Sequence, residues 1–185
     1  MEKTKEQITA ETLQLAAETA AAKGMDIIVA SSTGATALQL KDTADAAGFR
    51  GNIVVVTHAY GARKIGECPA EDNMAAMHEK GMRTVTAAHA LSGAERGISS
   101  KFGGAYPVEI MAHTLRMFGQ GVKVCVEIAM MACDNGAVPY GKPVVCIGGT
   151  GSGADTICIV SPSYSARVFD LKVNEVIAKP DLYEG

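Results

Sequence analysis

Two short β-branched runs, Asp26-Ile27-Ile28-Val29-Ala30 and Ile53-Val54-Val55-Val56-Thr57, stand on either side of a helix-length segment that closes at Gly48. Neither run alternates with polar residues, so each reads as a strand buried on both faces. A helix between two such strands is a parallel βαβ unit with a right-handed crossover, which predicts an α/β fold.

The flanking sequence extends this pattern. Thr4 and Gln7 form a capping box for a first helix, whose buried stripe is read as Ile8, Thr12, Leu15, Ala16, Thr19 and Ala20, with Gly24 as the stop. The helix after the first strand covers residues 36–47, and another covers 70–80, ahead of a charged strand at 82–86. Residues 88–106 carry four glycines and mixed charges and read as a long functional loop with a helical turn near 92–96. Pro107 suits the first position of a helix. Residues 122–133 alternate like a strand in part, but their length and the Asn135-Gly136 stop predict a buried helix. Strands are expected at 143–147 and 156–160, and an added edge strand at 167–171. With no internal repeat and no linker, residues 1–185 read as a single domain.

Basic and acidic side chains nearly balance, 17 against 20, so there is no broad positive field for nucleic acid. The charged opening run Glu2-Lys3-Thr4-Lys5-Glu6, with no apolar stretch of roughly 20 residues, predicts a cytoplasmic protein without a membrane partner. Five cysteines at irregular intervals in apolar company predict reduced core thiols.

Ligands of an open parallel sheet collect outside the carboxyl ends of its strands. Three segments stand at such ends: Ser31-Ser32-Thr33-Gly34-Ala35-Thr36, Thr57-His58-Ala59-Tyr60-Gly61, and the loop from Gly148 to Asp155. A helix cap needs one hydroxyl, whereas the first segment has four in six residues. Gly34 admits close backbone approach, and the first N–H groups of the following helix favour an anion, so the segment predicts a phosphate site. In the third segment Gly149, Gly151 and Ala154 match G-x-G-x-x-A, but a strand follows where the nucleotide fingerprint needs a helix. The loop, with Thr150 between its glycines, reads equally as a hairpin connection or as a surface for a flat ligand.

His58 and His89 stand at neighbouring strand ends, where each is either an acid/base or hydrogen-bonding group or a structural histidine. Ser92 and Arg96 follow His89, and Glu95-Arg96 also reads as a solvated pair. Glu127 falls inside an apolar run, so it needs a partner such as Arg96 or Lys123, as an ion pair or as a site carboxylate. Gly103-Gly104 reads as a lid hinge or a plain turn. No CxxC, HExxH or carboxylate at ligand spacing is present, so no metal site is expected.

The helix from Gln7 to Lys23, the strand Ile27 to Ala30, the Ser31 to Ala37 turn and the strand ending Val55-Val56-Thr57 resemble the C-terminal domain of pyruvate kinase. The strand, glycine loop and strand between Pro143 and Val160 are also similar to it. The middle, His89-Ala90-Leu91-Ser92-Gly93-Ala94-Glu95-Arg96 and Phe118-Gly119-Gln120-Gly121, resembles a family of small stand-alone proteins of uncharacterised function that share this domain, some of which hold flavin mononucleotide (FMN). The resemblance implies a three-layer α/β/α fold, with a mostly parallel five-stranded sheet whose last strand is antiparallel, and a phosphate site at Ser31 through Thr36. In pyruvate kinase the equivalent turn binds a phosphate of an allosteric sugar bisphosphate. The chain has no counterpart of the pyruvate kinase catalytic domain, so phosphoryl transfer is not implied.

Together these readings predict a domain that binds a small phosphorylated ligand, FMN first. The phosphate would sit on the Ser31 turn and the ring would lie toward His58, Tyr60 and the Gly148 loop, with Gly61, His89, Ser92, Arg96 and Glu127 nearby. One alternative is a flavin- or phosphate-ester-dependent enzyme in which His58, His89 or Glu127 moves protons. The other is a non-catalytic effector sensor or oligomerisation module, acting as a homo-oligomer.

Overall fold

Both halves of the capping box form at the start of α1 (Lys5–Lys23), and Gly24, at φ +62°, ends the helix. The computed structural model describes residues 3–62 and 64–181, so Glu2 of the opening charged run lies outside the described residues. The chain continues through β1 (Ile27–Ala30), α2 (Ala35–Ala46), β2 (Ile53–Thr57), α3 (Glu71–Glu79) and β3 (Arg83–Thr86). It then forms α4 (Gly93–Phe102), α5 (Pro107–Arg116), α6 (Gln120–Asp134), β4 (Val144–Gly148), β5 (Thr156–Ser161) and β6 (Lys172–Ala178).

The sheet runs β3-β2-β1-β4-β5-β6; β1 to β4 are parallel, while β5 and β6 are antiparallel to their neighbours. The expected mixed sheet is therefore present, with six strands rather than five and two antiparallel strands at its end. The added strand also lies later than expected. Most of residues 167–171 belong to a 3-10 helix, Ser165–Asp170, held by local bonds from Ser163 Oγ to the Arg167 carbonyl (2.6 Å) and from Arg167 Nε to Asp170 (2.6 Å). Such local side-chain bonds compete with a strand ladder, and pairing begins only beyond them, at Lys172.

Alternate strand residues face opposite layers, as the two-residue period requires. Ile27, Val29, Val55, Val145 and Ile147 pack against α1, α2 and α3, whereas Ile28, Val54, Val56, Cys146 and Cys158 pack against α6. All five cysteines are buried thiols. The α1 stripe is rotated from the expected one. Thr9, Thr12, Leu13, Ala16, Ala17 and Ala20 are buried, while Ile8 and Leu15 are 37 % and 40 % exposed. Small residues let the helix lie close to the sheet, and Thr9 Oγ1 accepts from the Ala154 N–H at 3.1 Å, an attraction that apolar periodicity does not register.

The segment read as a long loop contains α4, a helix with no buried residue. Tertiary hydrogen bonds hold it to α5: Glu95 accepts from the Glu109 N–H at 2.8 Å, and Ser99 Oγ donates to Glu109 at 2.6 Å. The Gly103-Gly104 pair, at φ +73° and +89°, makes the turn between these helices.

Helix α6 lies unusually close to the sheet. A Cβ on Gly121 would stand 2.0 Å from Thr156 Oγ1, and one on Gly148 would stand 2.5 Å from the Gly121 carbonyl oxygen. Gly121→Ala is therefore expected to destabilise the fold by about 1–3 kcal/mol, as overpacking does. Gly97→Ala in α4, where an added Cβ meets nothing within 4 Å, should be neutral or stabilising by up to about 1 kcal/mol. Urea denaturation of both variants checks the contrast.

Candidate functional site

At the end of β1 the chain must turn sharply into α2, and Gly34 makes this possible with φ +89°. A Cβ there would come within 2.8 Å of the Asn73 Cβ, and Asn73 Nδ2 donates to the Thr33 carbonyl at 2.7 Å. Ser31 is buried and its Oγ accepts from the Ala37 N–H at 3.3 Å; Thr33 Oγ1 accepts from the Ala35 N–H at 3.4 Å. These two hydroxyls cap the helix. The N–H groups of Ser32, Thr33, Gly34 and Thr36, and the hydroxyls of Ser32 and Thr36, find no acceptor or donor among the described residues. The segment thus contains a cap and, beside it, a set of unused donors.

These donors border a cavity of about 770 Å³, within the range of small-molecule sites. It opens where β1 sits between β2 and β4, so that successive crossovers leave in opposite directions, the position where open α/β sheets bind ligands. Of the expected residues, Ser31, Ser32, Thr33, Thr36, Thr57, His58, His89, Ser92, Arg96, Glu127, Gly149 and Gly151 line it. Gly34 and Ala35 only frame the turn. Tyr60 is 62 % exposed and Gly61 donates to the Glu67 carbonyl, because the loop after β2 closes on itself; neither lines the cavity. Thr150 does not line it either, and its N–H donates to Asp155 Oδ2 at 2.8 Å inside the glycine loop. That loop is the hairpin between antiparallel β4 and β5, which rules out the nucleotide-fingerprint reading, and it supplies Gly149, Gly151, Ser152 and Gly153 to the wall.

Sequence reasoning missed Arg116 and Gln120, considered Lys123 only as a counter-ion, and named Ser152 only as part of the loop from Gly148 to Asp155. Gln120 and Lys123 lie three residues apart and Glu127 four further on, a helical spacing that marks one face of α6 once that helix is assigned.

Glu127 is buried and both its oxygens are engaged: Lys123 Nζ donates to Oε2 at 2.5 Å and the Leu91 N–H to Oε1 at 2.9 Å. Its ion-pair partner is Lys123, one turn earlier on the same helix, not Arg96, and the bond from the Leu91 N–H fastens the chain after β3 to α6. His89 Nδ1 stands 4.0 Å from Glu127 Oε2, beyond hydrogen-bond reach. Burial lowers the His89 pKa; Glu127 opposes this, while Lys123 and Arg96 add to it, so the imidazole is neutral at pH 7. Its ring lies 4.7 Å from that of His58, tilted by 35°. Thr57 and Thr86 share a 2.7 Å hydroxyl bond that ties the ends of β2 and β3.

Among the described residues, three cations, Arg96, Arg116 and Lys123, line the cavity against one carboxylate, Glu127, in a chain whose net charge is −3. The cavity is therefore locally positive and lined with oxyanion donors. Among the described residues, no cluster of three His, Cys, Asp or Glu side chains could hold a metal ion, and no helix is long and apolar enough to cross a membrane.

The family model for the pyruvate kinase alpha/beta domain matches residues 6–160, from the first turn of α1 into β5. The chain belongs to this family. The matched segment contains β1 through β4 and the whole Ser31 turn, so the alpha/beta domain supplies the crevice in which the cavity lies. The 3-10 helix and β6 follow it.

Glu127→Ala would leave Lys123 as a buried unpaired cation, and is expected to cost about 3–5 kcal/mol in chemical denaturation. Replacing both residues with methionine should recover most of that loss. His89 gives a pH signature. Its folded-state pKa lies below its unfolded value of about 6.5, so its contribution to stability is complete above that pH and is lost as pH falls through the folded value. Denaturation midpoints should therefore fall across the mildly acidic range, and His89→Gln should flatten that slope.

Proposed function

We propose that this alpha/beta domain binds a small phosphorylated ligand, with FMN as the leading occupant, the phosphate on the Ser31 turn and the ring toward His58 and the Gly148 loop. The observation that carries this reading is the set of unpartnered donors at Ser32, Thr33 and Thr36, which line a cavity where, among the described residues, cations outnumber carboxylates. Backbone N–H groups at a helix start, joined by hydroxyls, suit a phosphate carrying close to two negative charges.

The residues present fit FMN. The cavity has room for a drug-sized ligand, and the backbone of Gly149 and Gly151 together with the neighbouring His58 and His89 rings offers flat and hydrogen-bonding surface for a ring. When bound, a flavin supplies hydride and single-electron chemistry. The chain's own part is to hold the phosphate, orient the ring and exclude water with Val124, Ile128 and Met131.

A second reading, an enzyme in this same cavity, draws on His89: a neutral imidazole among cations is a competent proton acceptor. Tyr60 has no part in either reading.

Flavin fluorescence titration of the purified protein tests the proposal. The expected result is saturable FMN binding, weakened about tenfold or more by Ser32→Ala combined with Thr36→Ala, which removes two hydroxyl bonds to a charged group. Absence of FMN binding, with a sugar bisphosphate still bound, overturns FMN as the occupant; absence of binding by either overturns the phosphate site. Turnover abolished by His89→Ala while FMN binding persists would select the enzyme.

A further inference from the structure

The positive charge of the cavity is not confined to the elements that form the Ser31 turn. Arg96 comes from the first turn of α4 and Arg116 ends α5, and both line the cavity. The carboxylates that could neutralise them are engaged elsewhere. Glu95, next to Arg96, accepts from the Glu109 N–H; Glu109 accepts from Ser99; and Glu127 is held by Lys123 and Leu91. Among the described residues, neither arginine has a carboxylate within 4.0 Å.

Their donors are also available. Arg116 donates from Nε to Gln120 Oε1 at 2.8 Å, which fixes one edge of the guanidinium and leaves both terminal nitrogens without a partner among the described residues. The Arg96 guanidinium has no side-chain hydrogen bond among them, and its charge reaches the His89 ring. A planar guanidinium whose two terminal nitrogens are free matches the two oxygens of a carboxylate or phosphate, and two such groups lining one cavity make a strong oxyanion receptor.

We infer that Arg96 and Arg116 form a second oxyanion subsite, separate from the Ser31 turn, which takes the carboxylate or phosphate group of a small substrate bound beside the phosphorylated cofactor. This rests on reading the Ser31 turn as the cofactor's phosphate site. It makes the cavity a two-ligand chamber: one anion anchors the cofactor, and the other orients a substrate toward the space next to His89.

Calorimetric titration of the full chain with inorganic phosphate tests it, with circular dichroism confirming that each variant is folded. The expected result is two phosphate sites per chain. Ser32→Ala with Thr36→Ala should weaken one, and Arg96→Gln with Arg116→Gln the other, each by about tenfold or more. Arg96→Lys with Arg116→Lys should recover part of the second. Saturation with FMN should remove the first site and leave the second; acetate competing at the remaining site then identifies a carboxylate substrate, and failure to compete identifies a phosphate ester. A single site lost only in the turn variant overturns the inference and leaves the proposed function intact. A single site lost only in the arginine variant overturns the reading of the turn instead. Loss of all binding in both variants shows one continuous site and overturns the second subsite.

Discussion

The contact on which the site depends is the close seating of α6 against β4 and β5. Gly121 and Gly148 leave no room for a Cβ between helix and sheet, and this draws the first turns of α6 down to the carboxyl edge of the strands. Gln120, Lys123 and Glu127 stand on those turns and are thereby carried into the cavity. A helix held at ordinary distance by larger side chains would keep the same sequence of polar residues but lift them away from the ends of β1 and β2.

The electrostatics follow from that placement. Lys123 and Glu127 satisfy each other in a buried setting, with the Leu91 N–H completing the carboxylate's bonds, so the pair is more an architectural joint than a reservoir of charge. Neutralised there, the wall leaves Arg96 and Arg116 to set the sign of the cavity. In the Ser31 turn, helix capping and anion binding are usually treated as competing explanations for a run of hydroxyls. Here the four residues all line the cavity but differ in their bonds: Ser31 and Thr33 accept from N–H groups of the helix, while the hydroxyls of Ser32 and Thr36 have no partner among the described residues.

Much of the frame could be read from the chain because local rules and tertiary demands agree there. Thr4, Gln7 and Gly24 bound the first helix by capping chemistry alone, and the run from Ile53 to Thr57 is a strand over its full expected length. Legibility fails where a partner distant in sequence decides the outcome. Ile8 and Leu15 are more apolar than Thr9, yet Thr9 is buried because it meets Ala154, 145 residues away. Helix α4 has two glycines and no core stripe, and bonds to Glu109 hold it in place. Among the site residues, those on the strand ends were visible from the rule that places ligands there. Arg116 carries no such signal, since only the tertiary fold brings the end of α5 to the same cavity.

The bond from Ala154 to Thr9 also joins the glycine hairpin to the first helix, and a Cβ on Gly153 would stand 2.3 Å from the same hydroxyl. One rim of the cavity is thus moored to α1, the helix with which Ala154 shares a core. That rim cannot shift without disturbing the bond to Thr9, so a helix that lines no part of the cavity among the described residues is joined mechanically to its wall.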